Sequence, residues 1–195
     1  MKNFKKIELP SIEDKIKIIL DELLLHEAAW LINQYRQNNI RLFKHTQNIK
    51  LIVADESGYP LGTKIEYMMS SRPSRLSKKF PNTLEVLNMI AIDLDSTIRQ
   101  AYIGRLIPHK KVYKHIDPRD DKEFFNFCDR YHLVLQSKNG SPLYSGDESV
   151  VMQENELWWF DNNKLHWAEN PSDDWRTHLI IDMKPNSGIC KRDVN

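Results

Sequence analysis

Apolar residues recur at helical spacing early in the chain and at strand spacing late in it. Ser11 followed by Asp14 has the form of a helix start, and Ile12, Ile16, Ile19, Leu20, Leu23 and Leu24 then share one helical face. This pattern predicts a helix from about Ser11 to Gln37. Between Leu51 and Phe80, Gly58, Pro60, Gly62 and Pro73 break up mixed residues, which is the texture of loops with short strands. Asn82 to Ile90 predicts a second, short helix.

From about Ile98 the chain turns into short strand-like runs, IRQAYIGRLI, RYHLVLQS, SVVM, ELWWF, LHWAE and THLIIDM, separated by Pro118, Gly140, Gly146, Asn162, Asn163 and Pro171. Several short strands at this spacing predict a mainly β fold, a sandwich or jelly roll, carrying a helical N-terminal part. With 195 residues the chain suits a single domain. We expect a helical and loop region over 1–80 packing on a core over 81–195, together one folding unit.

Composition narrows the function classes. The 28 basic and 27 acidic residues leave a net charge of +1, so no single-sign field draws in nucleic acid or an anionic membrane. Apolar runs are only a few residues long, as in the leucines 23–25, so neither a signal peptide nor a membrane span is expected. Cys128 and Cys190 are too few and too far apart for a disulfide framework or a thiolate metal site. A reducing, cytoplasmic setting is the expectation.

Three segments of the strand-rich half concentrate residues able to do metal chemistry: KHIDPRDD, DRYHLVLQS and KLHWAENPSDDWRTHLIID. Residues i and i+2 of a strand share a face, so His115 and Asp117 can turn inward onto one metal. His166, at the start of a later predicted strand, supplies a third ligand. Two imidazoles and one carboxylate form the facial triad of non-haem Fe(II) oxygenases, which leaves coordination positions for a cosubstrate and O2. H-x-D alone is weak, since seven histidines and many aspartates produce it by chance as an exposed loop pair. Its context adds weight. Arg176, on the next predicted strand, can clamp a carboxylate with its fork of donors, and Arg130 and His132 can add donors to the same anion. For Arg176 alone, a surface ion pair is the plainer reading.

The stretch from about Asn82 to Pro185 resembles the aspartyl/asparaginyl beta-hydroxylase family. GRLIPHKKVYKHID, RYHLVLQS and NELWWFDNNKLHWAENPSDDWRTHLIID carry the likeness in that order. The resemblance implies a double-stranded β-helix, a cupin-like jelly roll, with Fe(II) on His115, Asp117 and His166. It also implies 2-oxoglutarate as cosubstrate, contacted by Arg176, Arg130 and His132. The implied reaction is hydroxylation of an unactivated C–H bond in a small-molecule or peptidyl substrate, with O2 consumed and succinate and CO2 released. Family members acting on protein Asp or Asn that carry Gly in place of Asp117 lack the carboxylate ligand. Asp117 therefore aligns this chain with members that have a complete triad, including free amino acid hydroxylases.

Other residues have plainer readings. The aromatic cluster of Trp158, Trp159, Phe160, Trp167 and Trp175 reads first as packing and second as a pocket wall. Arg72 and Arg75 are candidates to hold a substrate carboxylate from a surface loop, and the insertion over 118–129 is a candidate cover for the site. His178 shares a face with Arg176 and reads as a core histidine or a pocket residue. Two rival functions share the fold: a non-oxidative cupin-type metalloenzyme and a catalytically silent binding module.

Overall fold

The computed structural model describes residues 1–9, 12–55, 70–117, 127–138 and 140–194. Ser11, the glycines and proline between 56 and 69, and most of the 118–129 insertion lie outside them. The described chain forms two antiparallel sheets with helices on one side. Strands β1 (Phe4–Ile7), β2 (Thr46–Asp55), β3 (Ser70–Pro73), β4 (Ser96–Leu106), β6 (Asp129–Gln136), β9 (Leu157–Phe160) and β11 (Arg176–Pro185) make a sheet in the order β1-β9-β6-β11-β4-β2-β3. Strands β5 (Lys110–His115), β7 (Pro142–Ser145), β8 (Glu148–Val151) and β10 (His166–Asn170) make the other, in the order β5-β10-β7-β8. This is the double-stranded β-helix, and the first 80 residues contribute three strands to it as well as helices.

The first helix, α1 (Glu13–Leu25), is shorter than the apolar pattern predicts. Ile12, Ile16, Ile19 and Leu23 bury one stripe, but Leu24 is 75% exposed. Past Leu25 the buried residues are the adjacent pair Ala29 and Trp30, which a tighter 3₁₀ turn over Glu27–Leu31 delivers. A five-residue helix, α2 (Tyr35–Asn39), follows. The predicted short helix is α3 (Pro81–Asp93), with proline in its first turn, where the missing N–H costs nothing.

Alternation along the central strands separates two environments. On β11, Leu179, Ile181 and Met183 face α1 and α3 and join Leu133, Leu135 and Tyr131 of β6 in the larger core. The intervening Arg176, His178 and Asp182 turn toward the second sheet. A smaller apolar cluster of Phe4, Val134, Leu143, Phe160 and Ala168 fills part of the space between the sheets. The helix-backed face makes β6 and β11 rigid, each fully buried Leu or Ile contributing roughly 1.5–3 kcal/mol. The polar face can therefore be spent on chemistry.

Glu22 ties α1 to α3. Its buried carboxylate accepts hydrogen bonds from the Asn82 and Thr83 backbone amides and from both side chains, at 2.7–3.0 Å. A negative charge there also faces the positive end of the α3 dipole. Glu22→Ala should destabilise the protein by about 2–3 kcal/mol, read by urea denaturation. Stability within about 0.5 kcal/mol of wild type would contradict the role.

Candidate metal and anion site

Strand pairing brings the two distant histidines together. β10 runs antiparallel to β5 with His166 directly opposite His115, and the ring centroids are 4.2 Å apart. Each ring is oriented by a backbone carbonyl two residues before it: His115 Nδ1 lies 2.7 Å from Tyr113 O and His166 Nδ1 2.9 Å from Lys164 O. A carbonyl only accepts, so each Nδ1 carries the proton and each Nε2 keeps a lone pair for a metal. Burial lowers the pKa of both imidazoles, that of His166 to about 4, so both are neutral near pH 7.

Asp117 completes the set with its two oxygens in different roles. Oδ2 accepts from Arg130 Nη1 at 2.5 Å and from Asn162 Nδ2 at 3.0 Å. Oδ1 lies 3.8 Å from His115 Nε2 and 3.9 Å from His166 Nε2. One ligand atom from each of the three residues falls within 4.8 Å of the others, a grouping suited to a single ion. Burial works to raise the Asp117 pKa, but Arg130, His166 and Asn162 together hold it below the ordinary carboxylate value.

Arg130 is positioned in turn by Asp182, its cross-strand neighbour on β11. Arg130 Nε and Nη2 donate to the two Asp182 oxygens at 2.7 and 3.0 Å. Burial raises the Asp182 pKa against the pull of Arg130. The bidentate fork, and an Arg130 pKa that the two carboxylates raise well above its ordinary value in spite of desolvation, make the ion pair the state we assign. Arg130 lines the cavity, but these contacts direct it to carboxylates of the protein itself.

Arg176 differs. It is 7% exposed, and its Nε and Nη2 have no hydrogen-bond partner among the described residues. Desolvation lowers its pKa to about 10, which still leaves a full charge at neutral pH. An unpaired buried guanidinium costs several kcal/mol, roughly 3–5 when a buried pair loses its partner, so the position suits a bound anion. His178 and His132 stand beside it with Nδ1 atoms 3.2 Å apart, one donating and the other accepting, and His178 Nε2 has no partner among the described residues.

These groups line one cavity of about 100 Å³ between the sheets, which also takes in Arg36, Phe43, Gln47 and Tyr102. The aromatic cluster divides. Phe160 sets its ring edge-on to both His132 and His166, and Trp167 stacks on Tyr144 while lining the cavity. Trp159 is in the helix-side core and donates to Asp129, and Trp158 donates to Glu156. Arg72 and Arg75 are exposed and do not line the cavity. Asn170, at the end of β10, donates to the carbonyls of Leu106, Ile107 and Asp174, which sets His166 relative to Arg176.

The buried His132–His178 pair gives a pH signature. Burial holds both pKa values well below 6.5, so neither takes a proton in the folded state near neutrality. In the unfolded chain both bind protons below about 6.5, which favours unfolding as pH falls. Metal-free protein should lose stability from pH 7 to pH 5, with these two residues contributing up to about 2.7 kcal/mol per pH unit at the low end. Urea denaturation across pH should show a shallower slope in the His132→Gln/His178→Gln double variant, and an equal slope would contradict the assignment.

Comparison with known proteins agrees with this geometry. The family model described as aspartyl/asparaginyl beta-hydroxylase matches residues 13–185. No curated protein sequence matches the chain. Among solved structures, a prolyl hydroxylase from Trichoplax adhaerens, in complex with a hypoxia inducible factor peptide fragment, superposes with a TM-score of 0.59 at 13% identity, covering 100% of this chain and 88% of that one. A 2OG-Fe(II) oxygenase family oxidoreductase from Burkholderia pseudomallei gives 0.52 at 12% identity, over 72% of this chain and 67% of the other. A prolyl-4-hydroxylase from Pseudomonas putida gives 0.51 at 12% identity, over 94% and 93%. At such identities these three likenesses establish the fold. With the family match across most of its length and a His-Asp-His group in place, the chain belongs to the aspartyl/asparaginyl beta-hydroxylase family and is an Fe(II)- and 2-oxoglutarate-dependent oxygenase.

Proposed function

We propose that the protein hydroxylates an unactivated C–H bond of an amino acid, a peptidyl residue or a related small molecule. His115, Asp117 and His166 hold Fe(II), and Arg176 holds the far carboxylate of 2-oxoglutarate. The observation that carries this reading is one cavity with neutral Nε2 and free carboxylate atoms on one wall and an unpartnered guanidinium on another. Iron(II) with 2-oxoglutarate and O2 supplies the oxidising power for inserting one oxygen atom, with succinate and CO2 as coproducts.

The protein's own residues supply placement. Arg130 and Asn162 fix the Asp117 carboxylate so that Oδ1 faces the histidines. We assign Arg130 this positioning role in preference to direct contact with the cosubstrate, because Asp182 and Asp117 engage it. His132 and His178 stand next to Arg176, and the one whose Nδ1 accepts carries its proton on Nε2 and adds one further donor for the same carboxylate. Phe160 and Trp167 exclude water from the wall between the two ends of the site. The thiols of Cys128 and Cys190, both buried, support a reducing, cytoplasmic setting.

The test is anaerobic reconstitution with Fe(II) and 2-oxoglutarate, then O2 with an amino acid and peptide panel, read by succinate formation and a product mass gain of one oxygen. His166→Ala should abolish turnover. Arg176→Ala should weaken 2-oxoglutarate binding about a hundredfold, since it removes the charged partner of a buried carboxylate. Normal turnover in the first variant, or unchanged 2-oxoglutarate affinity in the second, would defeat the corresponding assignment. 2-Oxoglutarate-independent chemistry would favour a non-oxidative metalloenzyme.

A further inference from the structure

One of the cations lining the same cavity is left unused by the proposed function. Arg36, on α2, is half-buried and lines the cavity, and its side chain makes no hydrogen bond or ion pair among the described residues. Its guanidinium lies 3.7 Å from the centroid of the Phe43 ring and 6.0 Å from that of Tyr102. Phe43 in turn meets His115 edge-on, with centroids 5.3 Å apart. One aromatic ring therefore separates Arg36 from an iron ligand.

The segment bearing Arg36 is tied down. Trp30 is buried, and the Arg105 guanidinium sits between the Trp30 and Trp175 rings at 4.2 and 4.1 Å. Arg105 also donates to Gln47, and Asn33 donates to Asn48 on the neighbouring strand β2. Arg105 thus has its own partners, whereas Arg36 is stacked by one face with its N–H edges unengaged. Stacking on an aromatic ring orients a guanidinium while leaving its in-plane donors for a carboxylate.

We infer that Arg36 is the recognition group for a carboxylate on the primary substrate, so that the substrate is a small acid oxidised within a few bonds of that carboxylate. This rests on the proposed function, which already engages Arg176 with 2-oxoglutarate deep between the sheets. The short path through Phe43 to His115 sets the distance between the recognised carboxylate and the reacting carbon. A long neutral acyl chain or a cationic substrate gives Arg36 no anionic partner. The carboxylate can belong to a free amino acid or to an acidic side chain or C-terminus of a short peptide.

The experiment uses the anaerobic complex with Fe(II) and 2-oxoglutarate and measures binding by calorimetry. The probes are the free amino acids, their carboxamides, and short peptides with either an internal Asp or a free C-terminus. At least one acid should bind wild type more tightly than its amide. In Arg36→Met that acid should weaken about tenfold or more, the amide should be unchanged, and 2-oxoglutarate affinity should stay within about twofold. Arg36→Lys should keep the preference for acid over amide, because the charge remains. Free amino acid and peptide arms distinguish the two sources of the carboxylate. Acid-over-amide preference intact in Arg36→Met, or binding only of neutral probes, would overturn this inference alone. Failure of wild type to bind 2-oxoglutarate would overturn the proposed function, and this inference with it.

Discussion

Asp117 can serve a metal because one of its oxygens is already occupied. Arg130 and Asn162 hold Oδ2, and Oδ1 is left facing two histidine nitrogens. Remove that restraint and the carboxylate can turn either oxygen toward either partner. The restraint reaches back through Arg130 to Asp182, and from there to β11, whose opposite face is anchored in the core under α1 and α3. The position of Asp117 is in this way referred to the larger core of the fold.

Charge balance explains why so many ionised groups can share a low-dielectric interior. Asp117 and Asp182 offset Arg130 and Arg176, leaving the buried set near neutral, and a divalent cation with a dianionic cosubstrate is also neutral. Loading as proposed would therefore add no net charge and would give Arg176 the partner it lacks among the described residues. The histidines join without disturbing the balance, since burial keeps them uncharged.

What could be read from the sequence follows the range of each interaction. Strands with apolar alternation, such as 130–137 and 176–183, were legible because period two is a local signal. So was the grouping of His115, Asp117 and His166, whose ligand atoms the fold brings within 4.8 Å of one another. The extent of α1 was not, because Leu24 and Leu25 extend the apolar pattern yet face solvent. Strands β1, β5 and β7 are short or polar and depend on their partners for definition. Arg130 read as an anion contact. Its partner Asp182 lies 52 positions away, and Asn162 lies 45 positions from Asp117, so only the folded register shows them to be neighbours. Arg36 was missed for the same reason: it has no motif, and it matters through a ring that α2 and the following turn place beside His115.

The most direct measurement is a crystal structure of the protein grown anaerobically with Fe(II) and 2-oxoglutarate. One iron should be bonded to Nε2 of His115, Oδ1 of Asp117 and Nε2 of His166, with the far carboxylate of 2-oxoglutarate paired to Arg176 and Arg130 still on Asp182. Iron bound elsewhere, or 2-oxoglutarate held by Arg130 with Arg176 unengaged, would contradict it.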